Sequence, residues 1–193
     1  MKRIWPMGWV CLAACGQGPS SSFTDEVQSA LGILRVDTQD VVVDEDPWDN
    51  DWKPVSLDLI EGSETEPAVW NASPDWSGHG AIHVRGNSSR EYEKKQYALE
   101  TRDADGNDLD VSLMGLPEEE DWILQGPYSD KTLMRNHLMF HWSRAIERYA
   151  PRTRFIELYM IDDGDPLAPT HYRGVYLLTE KIKRDKHLSL IHI

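Results

Sequence analysis

The sequence predicts an α+β fold, an antiparallel sheet carrying one main helix, and three observations predict it. Short runs alternate apolar and polar residues with a period of two: Val55, Leu57 and Leu59 against Ser56 and Asp58, then Lys95, Tyr97 and Leu99 against Lys94, Gln96, Ala98 and Glu100. One stretch near Ser129 to Ile146 repeats apolar residues at helical spacing. Two runs rich in β-branched and aromatic residues, 154–161 and 172–180, are joined through the turn signal DDGDP, which predicts an antiparallel hairpin.

Taken in order, the chain opens with MKRIWPMGWVCL, a positive start and an apolar run too short to cross a bilayer. The following LAAC, ending at Cys15, resembles a bacterial lipobox. On this reading residues 1–14 are a lipoprotein signal peptide and Cys15 carries the lipid. The protein is then expected in the bacterial cell envelope, membrane-anchored and extracytoplasmic. An ordinary secretory signal cleaved nearby is the alternative. Residues 15–53 read as a flexible acidic tether. GQGPSSS has linker composition, and the weak periodicity of Val27, Leu31 and Leu34 allows a short helix. Asp37, Asp40, Asp44, Glu45, Asp46, Asp49 and Asp51 then lack the glycine and closing glutamate of a calcium loop, so they read as a solvated spacer.

The folded part is expected over 54–187. A half-buried strand at 55–60 comes first, then a loop at 61–80 with a short strand near 68–70, and a strand at 81–84. The polar turn RGNSSR (85–90) leads into the lysine-bearing strand. The run 103–110 reads as an Asp-Gly hairpin turn rather than a calcium loop. A short buried strand follows at 122–124. Ser129 caps the helix, whose packing stripe is Met134, Leu138, Trp142, Ala145 and Ile146, and Pro151 stops it. The final LSLIHI (188–193) matches the translation of a sequencing-library adapter and is expected to carry no biology.

The formal charge of −13 argues against nucleic-acid or anionic-membrane affinity. The only two cysteines are Cys11 and Cys15, so no disulfide framework serves the folded part. His83 stands alone in its strand and reads as packed or exposed rather than as a ligand.

RGNSSR supplies guanidinium, amide and hydroxyl donors from Arg85, Asn87, Ser88, Ser89 and Arg90, and Lys95 lies on the more apolar face of the next strand. Such a set reads either as a phosphate cradle or as a solvated hairpin with snorkelling lysines. RGNSSR with KKQYALE, then DVSLMGLPEEEDWILQGPYSDKTLMRN, YAPRTRFIELYM and YRGVYLLTEKIKRDK, resembles the spore-coat-protein-H (CotH) kinase family, an atypical bacterial protein-kinase-like group. The resemblance implies an atypical kinase-like small lobe, truncated before its large lobe. It makes Lys95 the phosphate-binding lysine and Arg85, Asn87, Ser88, Ser89, Arg90, Arg135 and Glu180 its nucleotide-binding companions. Residues 179–182 would be the hinge beside the adenine. ATP with Mg²⁺ or Mn²⁺, and protein substrates in the envelope, follow from the same likeness. The family's catalytic and metal-binding aspartates lie beyond the hinge, so no catalytic residue or metal ligand is expected in this chain, and by itself it is expected to be inactive. The rival reading is a non-catalytic surface lipoprotein that binds proteins or polymers through Trp48, Trp52, Trp70 and Trp76.

Overall fold

The computed structural model describes residues 28–183; residues 1–27, Cys15 among them, and residues 184–193 lie outside them. Nine strands and one helix follow one another as β1 (Gln28–Ser29), β2 (Gly32–Asp37), β3 (Lys53–Ile60), β4 (Ala68–Val69), β5 (Trp76–Arg85), β6 (Gln96–Arg102), β7 (Asp121–Gln125), α1 (Arg135–Ala145), β8 (Thr153–Ile161) and β9 (Tyr172–Glu180). Seven of the strands close into a barrel in the order β2-β3-β5-β6-β7-β9-β8, while β1 and β4 form a separate pair. All barrel neighbours are antiparallel except β2 and β8, which run parallel and complete the ring.

This closure corrects the expected fold class. The chain does not form an open kinase-like small lobe with a main helix packed into it. It is a β-rich barrel, and α1, the one α-helix among the described residues, lies outside the ring with no buried residue. The correction turns on β2. Residues 32–37 fall in the segment expected to be a tether with a short helix, yet they pair with β3 on one side and β8 on the other. Leu34 and Val36 enter the barrel core while Ile33 joins a second cluster with Ile60, Ala68, Trp70 and Tyr159. A strand buried on both faces loses the two-residue alternation that would have announced it.

Alternation holds elsewhere. In β6, Tyr97, Leu99 and Thr101 are buried and the residues between them are half-buried. Their row meets Leu57, Ile82, Trp122, Leu124, Ile156, Leu158 and Tyr176 to fill the interior, as inward-facing residues of a small barrel must. β7 and β8 both pair with β9, so they run in one direction with β9 between them. Joining two such strands takes a crossover, and α1 is that crossover.

The expected packing stripe on α1 is also corrected, since Met134, Trp142 and Ile146 are exposed. The helix meets the barrel through His137, which shares a 2.8 Å hydrogen bond with Thr153 Oγ1 and packs its ring on Phe155. Arg144 donates to the Pro151 carbonyl near the start of β8. The helix starts later than Ser129 suggested. Asp130 receives the N–H groups of Thr132 and Arg135, anchoring the turn that leads into it.

Candidate functional site

Two neighbouring depressions flank the end of β7. The first lies under α1, on the outer side of the sheet, and is lined by Arg85, Ile123, Gln125, Phe140, Pro151, Thr179, Glu180 and Ile182, with a volume of about 150 Å³. Because side chains alternate along strands, placing Val84 and Leu124 in the core sends Arg85 and Gln125 outward together. Phe140 comes down from the helix and Ile123 comes up from β7, so the walls are apolar.

Arg85 is the unusual member. Its guanidinium has no hydrogen bond or ion pair among the described residues, and burial alone pulls it below its ordinary value. A half-buried cation with five unsatisfied donors, facing an apolar cleft, is built to receive a planar or multi-oxygen anion. Glu180 is the one carboxylate in the cleft, and it is 1% exposed. Both of its oxygens are occupied: Oε2 accepts the Arg152 backbone N–H at 2.8 Å and Oε1 accepts Arg152 Nε at 2.7 Å. Glu180 therefore ties β9 to the start of β8 and leaves Arg85 unneutralised. It offers no free ligand for Mg²⁺ or Mn²⁺ here, so these residues do not make a metal site.

The second depression, about 380 Å³, opens beside the 86–95 segment and is lined by Asp44, Glu93, Lys94, Lys95, Tyr97, Tyr128, Tyr172, Arg173 and Tyr176. Lys95 donates to the carbonyls of Arg90 and Tyr92 at 2.9 and 2.8 Å. It braces the turn and keeps one of its three N–H donors for a ligand. Lys94 donates to the Val175 carbonyl at 2.6 Å and sits 4.5 Å from the Tyr176 ring centre. Burial lowers its affinity for the proton. Gly126 lets the two lysines approach β7, because a Cβ there would meet the Lys95 carbonyl at 2.6 Å and Lys94 Cγ at 3.1 Å.

The RGNSSR residues divide by role. Arg90 is buried, donating to the carbonyls of Gly86 and Pro47 and to Asn50 Oδ1, with its guanidinium over Trp48. It is a clasp on the acidic 38–52 segment and is not available to a ligand. Asn87 and Ser88 are exposed at the tip, and Ser89 is half-buried beneath Gly86, whose φ of +108° suits glycine. Arg135 stands outside both depressions, largely exposed, with Asp130 as its ion-pair partner. Of the expected set, Arg85 and Glu180 share one cleft, while Lys95 lines the other.

Sequence reasoning missed Gln125, Phe140 and Lys94. The outward parity of Gln125 was readable from Trp122 and Leu124, but Phe140 belongs to a helix whose facing had been assigned to other residues. The tryptophans proposed as a contact surface are mostly packing. Trp70 is buried and stacks on Tyr159, Trp52 lies edge-on to His83, and Trp76 packs against the core; Trp48 alone of the four is exposed, beneath Arg90.

No curated protein matches the chain. The sequence model of the CotH kinase protein family matches residues 82–190, a span that holds Arg85, Lys94, Lys95, Gln125, Phe140 and Glu180. That span is more than half of the sequence, and the chain belongs to the CotH kinase protein family.

Proposed function

We propose that the protein binds ATP through the Arg85 cleft and the adjoining lysine-bearing turn, and serves ATP-dependent phosphorylation of serine or threonine in extracytoplasmic proteins. The observation that carries this reading is Arg85, a guanidinium half-buried between apolar walls and unpaired among the described residues. Apolar walls suit a flat base or ribose, and fixed positive charge suits phosphate oxygens whose charge shifts during transfer. Lys95, already braced on two carbonyls, adds a second cation of fixed position. The divalent ion that accompanies the nucleotide takes no ligand from Glu180, whose oxygens Arg152 holds.

Calorimetric titration of the purified chain with ATP, with and without Mg²⁺ or Mn²⁺, tests the reading. Arg85→Ala is expected to weaken binding about tenfold or more, the loss of a charge-assisted hydrogen-bond pair. Arg85→Lys should restore only part of it, because an ammonium lacks the planar fork. Unchanged affinity in Arg85→Ala removes the cleft from consideration, and absence of any heat with wild type removes the nucleotide.

We also propose that Cys15 is diacylated and holds the protein to the membrane. A fatty-acid analogue is expected to label the wild-type protein and not Cys15→Ser. Equal labelling of both would sink the lipid anchor and leave the phosphate chemistry untouched.

A further inference from the structure

We propose that Asp110, Glu119 and Glu120 form a binding site for a hard divalent cation, at the end of the barrel where β6 leaves and β7 begins. The backbone builds it. Val111 and Glu119 exchange N–H···O bonds of 3.0 and 3.3 Å, a one-step antiparallel bridge that brings Asp110 beside the glutamates. Thr101 fixes both limbs to β6, its hydroxyl donating to the Leu109 carbonyl at 2.8 Å and its N–H to the Glu120 carbonyl at 2.9 Å. One oxygen from each of the three carboxylates then lies within 4.8 Å of the others. Oxygens bound to Ca²⁺ at about 2.3–2.6 Å stand at most roughly 5 Å apart, so the spacing accommodates a single ion.

A second observation, independent of the clustering, points to a missing positive partner. Glu119 is 1% exposed. Its Oε1 accepts the N–H groups of Glu120 and Asp121 at 3.0 and 3.1 Å and lies 2.6 Å from the Lys183 ammonium. Its Oε2 is buried and has no hydrogen-bond partner among the described residues. A buried anionic oxygen without a donor is costly, and native structures seldom leave one so. Lys183 does not cover the need, because that one ammonium is shared among Glu119, Glu120 and Asp121. A cation between Asp110, Glu120 and the Glu119 Oε2 atom supplies the partner. All donors are carboxylate oxygens, which select Ca²⁺, Mg²⁺ or Mn²⁺ over thiophilic metals.

The site would also do structural work. The loop between its ligands, 112–118, carries Leu113 and Leu116, both buried in the core, and it folds back on itself through the Ser112 hydroxyl on the Leu116 carbonyl. An ion joining Asp110 to Glu119 and Glu120 pins the two ends of this plug.

The experiment strips the full chain with EDTA and then follows thermal unfolding and calorimetry with CaCl₂, MgCl₂ and MnCl₂ in turn. At least one ion is expected to raise the Tm by about 3 °C at ten times its Kd. Asp110→Asn, an exposed change that leaves the core intact, should weaken that ion's affinity about tenfold, since charge count sets affinity in such sites. Glu118→Gln, on the same loop but outside the cluster, should leave it unchanged. No shift with any of the three ions, or equal affinity in Asp110→Asn, overturns the proposal and leaves Lys183 as the counterion of Glu119 and Glu120 among the described residues.

Discussion

Arg35→Ala is expected to lower the unfolding free energy by about 3 kcal/mol, read as a lower denaturant midpoint at unchanged slope. Arg35 is 8% exposed in the middle of β2. Its Nη2 bonds Asp58 Oδ2 on β3 at 2.8 Å, and its Nη1 reaches the carbonyls of Ala72 at 3.0 Å and Trp70 at 3.4 Å. One side chain therefore ties β2 to β3 and to the loop that carries β4. Asp58 keeps a bond from the Ser77 hydroxyl and is 39% exposed at its side chain, which holds the loss near the lower end for a broken buried pair. Arg35→Met should recover part of the loss by restoring the apolar stem. A midpoint for Arg35→Ala equal to that of wild type would show that the strands hold β2 without the clasp.

Trp122→Ala is the other large effect, about 3–5 kcal/mol. Trp122 is fully buried at the start of β7, between Leu99 of β6 and Glu180 of β9 in the ladder. It is the largest side chain in the closed interior, where rigid strands surround it on every side and limit any collapse into the space left behind. Trp122→Phe separates volume from polarity. The indole Nε1 has no hydrogen-bond partner among the described residues, so phenylalanine forfeits packing but no hydrogen bond. It should cost well under half as much. Two variants of equal stability would overturn the cavity account, since phenylalanine refills most of the space that alanine leaves empty.

What the sequence revealed tracks how one-sided each element's surroundings are. β3 and β6 are covered on one face, so Val55, Leu57 and Leu59, and Tyr97 and Leu99, announce themselves by alternation. The β8–β9 hairpin was readable from its composition and its turn. β2 was not, because Ile33, Leu34, Arg35 and Val36 are all buried and carry no period. The helix stripe failed for a different reason. α1 touches the sheet along a narrow line at His137 and Phe140, while large apolar neighbours such as Met139 and Trp142 remain in solvent.

At the site, Arg85 and Glu180 were legible as parts of RGNSSR and TEKI. The cleft between them was not, since Gln125 and Phe140 come from elements far from both in sequence. The strand alternation carried over to Lys94 and Lys95 was an extrapolation, because β6 begins only at Gln96. Ahead of it the chain is still turning, and both lysines reach the same depression.

The parallel seam between β2 and β8 has a kinetic consequence. β2 can pair with β3 as soon as both are made, but its second neighbour lies more than a hundred residues downstream, at Ile156 to Ile161. Ring closure is thus a late, non-local event with a large loop entropy to overcome, placing refolding in the slow millisecond-to-second class. Until β8 and β9 have both arrived, the growing chain is an open sheet with bare edges, the state most prone to pair with another copy of itself. Synthesis past Glu180, which completes β9 between β7 and β8, is what ends that exposure, so the vulnerable interval of this protein is set by chain length before it is set by stability.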